Sequence, residues 1–144
     1  MKIEEQVLSI RQMKHLQKLG VDTSDASMYW KTFPTETGYY NYQGYHGTDI
    51  QDEAELVFNK ITDDDDAEYT PTYTIGDLIE KLPKHFYIKE AQINICAING
   101  NGAFEIWYDK VSKSHKSSNT IKNALYKSLC WVAEKHKELL EVKK

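Results

Sequence analysis

The segment from Ala91 to Tyr108 most narrows what this chain can fold into. Ala91, Ile93, Ile95 and Ala97 alternate with polar residues, Asn99-Gly100-Asn101-Gly102 follows, and Phe104, Ile106 and Tyr108 resume the alternation. A period of two puts successive side chains on opposite faces of an extended chain, and Asn-Gly pairs favour the backbone conformations of tight hairpin turns. A β-hairpin over 88–98 and 103–111 is therefore expected, with one apolar face against a core. A two-residue turn at Asn99-Gly100 sets Ile95 opposite Phe104 and Ile93 opposite Ile106, whereas a four-residue turn sets Ile95 opposite Ile106.

Such a hairpin cannot bury its own face, and three amphipathic stretches are placed to cover it. Ser9 and Gln12 form a capping-box pattern ahead of Ile10, Met13 and Leu16, with Gly20 available for a left-handed terminus, so a helix near 9–19 is expected. Thr74, with Asp77 three residues on, precedes the stripe Ile75, Leu78, Ile79 and Leu82, and Pro83 ends a second helix near 74–82. Ser117, Ser118 or Asn119 would cap a third, near 119–140, in which Ile121, Ala124, Leu125, Leu129, Val132, His136 and Leu139 recur at steps of three and four. The expected class is α+β: a small antiparallel sheet packed by helices, in one domain of 144 residues.

The remaining segments are shorter. Ser27 to Phe33 is rich in aromatic and β-favouring residues and reads as a strand ended by Pro34. Residues 35–53 hold three glycines among tyrosines, as a short strand or ordered loop would. Residues 54–61 fit both periods, and strand is preferred. Asp63 to Asp66 must be solvated, and Thr70-Pro71-Thr72 is read with it as a loop, because the residue before proline avoids helix.

A formal net charge of −4 repels a phosphate backbone overall, so nucleic acid is not the expected partner. The stretch with Lys110, Lys113, His115, Lys116, Lys122 and Lys127 is where one would touch, and a solvated loop and helix end is the preferred reading. No apolar run reaches membrane-spanning length and the first residues lack a signal-peptide core, so no membrane association and a cytoplasmic location are expected. Cys96 and Cys130 then read as small buried hydrophobes rather than a disulfide.

Counted from Asp63 as a calcium loop, Glu68 stands where glycine is required and Thr74 where a bidentate glutamate is required. His46, Asp49 and Asp52 recur at steps of three and would share one face of a helical turn, as a small metal-dependent enzyme needs. His136-Lys137-Glu138 has the His-x-Glu half of a zinc deaminase signature without its cysteine half. Gly100-Asn101-Gly102 precedes a strand rather than the helix a phosphate loop requires. No cofactor and no catalytic residue are assigned.

Tyr29, Trp30, Phe33, Tyr39, Tyr40, Tyr42 and Tyr45 concentrate half of the ten tyrosines in one stretch. Tyr and Trp combine large contact area with a polar tip, so the choice is between one packed side of a sheet and a recognition surface made by Tyr29, Trp30, Tyr39, Tyr40, Tyr42 and Tyr45. Three stretches, Leu8 to Trp30, Thr72 to Lys84 and Ile121 to Glu134, resemble short uncharacterised proteins of prophages and mobile elements in gut bacteria. The order helix, hairpin, closing helix is similar to small phage α-β-α sandwich proteins. That resemblance implies an accessory or assembly role in a host cytoplasm and no site residues. The expected function is non-enzymatic, through protein contacts or self-association.

Overall fold

Two capping boxes fix where the first helices begin. In the computed structural model, which describes residues 3–34, 39–40, 46–47, 50–51, 53–60, 66–86, 89–90, 93–98, 103–108, 111 and 113–140, the chain opens with a 3-10 turn, Ile3–Gln6. Helix α1, Ile10–Lys18, follows: Ser9 Oγ accepts from Gln12 N at 3.1 Å, and Gln12 Oε1 accepts from Ser9 N at 3.0 Å. Its Ile10, Met13 and Leu16 are buried. Gly20 continues past the helix at φ +92°, a left-handed conformation that favours glycine.

Strand β1, Met28–Pro34, organises the larger sheet. It pairs antiparallel with β5, Glu68–Thr72, from Met28↔Thr72 to Thr32↔Glu68. It pairs with β4, Glu55–Val57, from Tyr29↔Val57 to Lys31↔Glu55, and with β2, Tyr39–Tyr40, at Phe33 and Pro34. Strand β3, His46–Gly47, pairs with β2. Tyr29, Trp30 and Lys31 thus have a neighbour on both edges, and β1 is interior.

Helix α2, Ile75–Lys81, is capped by Thr74 Oγ1, which accepts from Asp77 N at 3.0 Å, while Asp77 Oδ2 accepts from Thr74 N at 3.1 Å. After a short pairing of β6, His85–Phe86, with β7, Lys89–Glu90, comes the hairpin of β8, Ile93–Ile98, and β9, Ala103–Tyr108. Strand β10, Lys116–Ser118, adds to β9. Helix α3, Ile121–Lys135, ends at His136 and is followed by a 3-10 turn, Lys137–Leu139.

One buried cluster unites α1, α2, α3 and β9 through Leu8, Met13, Leu16, Leu78, Ile106, Tyr108, Leu125 and Leu129. Each such aliphatic side chain removed from water contributes about 1.5–3 kcal/mol before entropy is counted. A second cluster, Val7, Ile10, Met28 and Trp30, joins the first turn to the larger sheet. The Leu8 carbonyl ties them, accepting from Trp30 Nε1 at 2.8 Å and Thr72 Oγ1 at 2.6 Å. The class is α+β, as the sequence pattern requires.

Several boundaries differ from expectation. Thr70-Pro71-Thr72 is strand: β5 has no second strand beside it among the described residues, and at an edge a proline can turn its missing N–H away from the ladder. Within the expected hairpin of 88–98 and 103–111 the described paired strands are Ile93–Ile98 and Ala103–Tyr108, and Lys89–Glu90 pairs instead with His85–Phe86. Its register is Ile93↔Tyr108, Ile95↔Ile106 and Ala97↔Phe104, that of a four-residue connection. The cap of α3 is Thr120, whose Oγ1 accepts from Asn123 N at 3.1 Å; Ser117 and Ser118 lie in β10. The third helix stops short of 140, at the non-helical His136 (φ −139°, ψ 39°). Residues 55–57 are strand, as preferred.

Candidate recognition face of the larger sheet

Alternation along β1 sorts its side chains between two environments. Met28, Trp30 and Thr32 have one parity and are buried, at 3%, 3% and 1% exposure. Tyr29, Lys31 and Phe33 have the other, and Tyr29 and Phe33 are half-buried. Cross-strand register adds Val57, Glu55, Pro71 and Tyr69 to that second, outer face.

Aromatic rings and lysines meet there. The Tyr29 and Tyr69 rings pack edge to face with centroids 6.4 Å apart. Lys31 Nζ lies 5.1 Å from the Phe33 ring centroid and 6.0 Å from that of Tyr69, and Lys60 Nζ lies 5.3 Å from that of Tyr29. An ammonium over a ring face is attracted by the ring quadrupole, by about 0.5–1 kcal/mol at exposed sites. Lys31 is only 7% exposed, its stem covered while the rings hold the charge. Phe58, immediately after β4, is 65% exposed, far more than a core aromatic tolerates.

The predicted surface residues are therefore divided. Tyr29 lies on the outer face, but Trp30 is in the core with its indole N–H bound to Leu8, because it has the opposite parity. Tyr39 and Tyr40 are in β2, Tyr40 in register with Phe33. Tyr42 and Tyr45 lie outside the described residues, as do Asp49, Asp52 and Asp63. His46 is in strand β3 rather than on a helical turn. Tyr69 and Lys60 were missed, Tyr69 because the proline run beside it suggested a loop.

Other reactive groups are committed to packing. The Cys130 thiol is half-buried and pushed up by burial, against a smaller lowering by its hydrogen bond with Tyr126, so it stays protonated. For Cys96 only the backbone, in β8, is described. The Tyr73 hydroxyl donates to Asp25 Oδ1 at 2.6 Å, and Lys81 Nζ donates to Asp25 Oδ2 at 3.0 Å. Burial first, then that carboxylate, raises the phenol above its ordinary range. Asp77 also accepts from Ser27 N at 3.0 Å and from Ser27 Oγ, locking α2 to the start of β1.

The basic stretch is similarly occupied in part. Lys127 Nζ donates to the Ser117 carbonyl at 2.9 Å, Lys116 Nζ lies 5.5 Å over Trp131, and His115 stacks on Trp107 at 5.3 Å with Nε2 3.3 Å from Glu105 Oε1. His136 packs edge to face on Trp131 with centroids 4.8 Å apart. Among the described residues no cluster of three His, Cys, Asp or Glu is placed to hold a metal, and no helix is long and apolar enough to cross a membrane. No protein-family model, curated protein or solved structure matches the chain.

Proposed function

We propose that the protein is a non-enzymatic accessory protein of phage type, acting in a host cytoplasm through protein contacts made by the outer face of its larger sheet, and that a second copy of the chain is its first partner. The observation that carries this reading is Phe58, 65% exposed immediately after β4, whose Val57 is in register with the half-buried Tyr29. Large apolar side chains held in water next to aromatic neighbours are characteristic anchors of association.

Geometry favours self-pairing. Among the described residues strand β4 pairs with β1 alone, and the proposed joint uses its other edge, at Glu55, Leu56 and Val57. A two-fold axis through Leu56 pairs β4 antiparallel with its copy, sets Glu55 opposite the second Val57 rather than the second Glu55, and brings the two Phe58 side chains to the rim of the joint.

Light scattering on the purified protein, with elemental analysis of the same sample, tests this. The expected result is a mass of twice 16.7 kDa that falls to the monomer in Phe58→Asp. A monomer at every concentration overturns self-association, and a monomer holding one tightly bound metal per chain supports a metal-dependent enzyme instead.

A further inference from the structure

Lys122 is half-buried. It lies in the first turn of α3, and its ammonium makes no hydrogen bond or ion pair among the described residues. Burial lowers its pKa, and Glu5 opposes that with a smaller, favourable charge interaction. A half-buried cation without a close partner is costly to the fold and is a ready counter-charge for an anion.

The space around it has room for one. Lys122 and Glu5 line a cleft of about 490 Å³ whose other walls are Ile75, Phe104, Asn119, Thr120 and Ile121. Three elements meet there: Ile75 opens α2, Phe104 comes from β9, and Ile121 with Lys122 opens α3. Phe104 and Ile75 pack on the main core, so the apolar wall is held by the body of the protein. The volume falls within the ~300–1,000 Å³ typical of small-molecule sites, which combine apolar walls with a few placed polar groups. Lys122 and Glu5 also line a second cleft, about 450 Å³, with Val7, Ser9, Trp30, Gln51 and Ala54. It is the poorer receptor: Gln51 Oε1 already accepts from Ile10 N at 2.7 Å, and the Ser9 hydroxyl caps α1.

We infer that the cleft between α2, β9 and the start of α3 binds a small amphiphilic monocarboxylate, its apolar body against Ile75, Phe104 and Ile121 and its carboxylate on Lys122. One negative charge on the ligand matches the Lys122 ammonium, and for the second charge of a dianionic phosphate the described lining of the cleft offers no further cation. The cleft is formed by different residues from the outer sheet face, so the two readings stand or fall separately.

The test titrates the full, isotope-labelled chain with 2-naphthoate, its neutral analogue 2-naphthamide, and dianionic 2-naphthyl phosphate, following backbone amide resonances. Naphthoate is expected to give saturable shifts at Phe104, Thr120, Ile121 and Lys122, with the amide and the phosphate each at least about tenfold weaker. In Lys122→Met the naphthoate affinity should fall to that of the amide, whose own binding stays unchanged. Equal affinity for naphthoate and naphthamide in the natural chain overturns the assignment without any variant, as do shifts elsewhere or no saturation at millimolar ligand. Tighter binding of the phosphate overturns the preference for a single negative charge.

Discussion

The two faces of β1 use the same kinds of residue to opposite ends. On the inner face Trp30 is buried, and its indole N–H and the Thr72 hydroxyl both reach the Leu8 carbonyl, so aromatic surface and polar tip are consumed by the fold. On the outer face Tyr29 and Phe33 stay half-buried and their rings accept lysine cations, while Phe58, just past the adjoining β4, is left exposed to water. Parity along one strand, rather than residue type, separates the side chains that hold the molecule together from those available for recognition.

The largest effect should come from the inner face. Trp30→Ala removes a buried ring and leaves the Leu8 carbonyl one donor short, so urea unfolding should show a loss of about 3–5 kcal/mol. If the loss is under about 1 kcal/mol, the inner face does not anchor the sheet. Asp77→Ala should cost about 2 kcal/mol, since the carboxylate accepts from Thr74 N and Ser27 N and so joins the cap of α2 to β1. Asn restores part of this, and an Asn variant as unstable as Ala would rule out the cap as the cause.

Alkaline pH adds a second handle. Tyr73, Tyr108 and Tyr126 all have phenols raised above the ordinary 10.0, with burial the leading cause. A raised pKa means the folded state holds its proton longer, so this stability is fully present below about pH 10 and lost as pH rises beyond it. The urea midpoint should hold up to about pH 10 and fall above it, and phenolate absorbance from these rings should appear together with unfolding. Phenolate from all ten tyrosines at pH 10.5 in a still-folded protein would contradict their burial.

On the outer face the effects on folding should shrink. Tyr29→Ala should cost about 1 kcal/mol through its contacts with Tyr69 and Lys60, and Phe58→Asp less than about 0.5 kcal/mol, because the ring is already in water. A loss above about 2 kcal/mol for Phe58→Asp would place that ring in the fold.

Legibility followed the same division. Helix stripes, caps at Ser9 and Thr74, and the alternation of the hairpin are local patterns, and α1, α2 and the paired face of Ile95 and Ile106 could be read directly. Strands that depend on distant partners could not: Pro71 is disfavoured in strands, and the segment around it is extended because β1 offers it a ladder. The aromatic cluster was visible as composition, but its division was not, since Trp30 and Tyr29 differ only in which side of the sheet they occupy. Tyr69 joined the face through pairing, which no spacing within the sequence announces.

Solution mass of the natural chain beside Phe58→Asp, at matched concentrations, tests the central claim most directly. A dimer that becomes a folded monomer on this one substitution, with unfolding stability unchanged after allowing for dimer dissociation, is the predicted result. Equal masses for the two proteins would contradict the assignment of the outer face as the surface through which the protein acts.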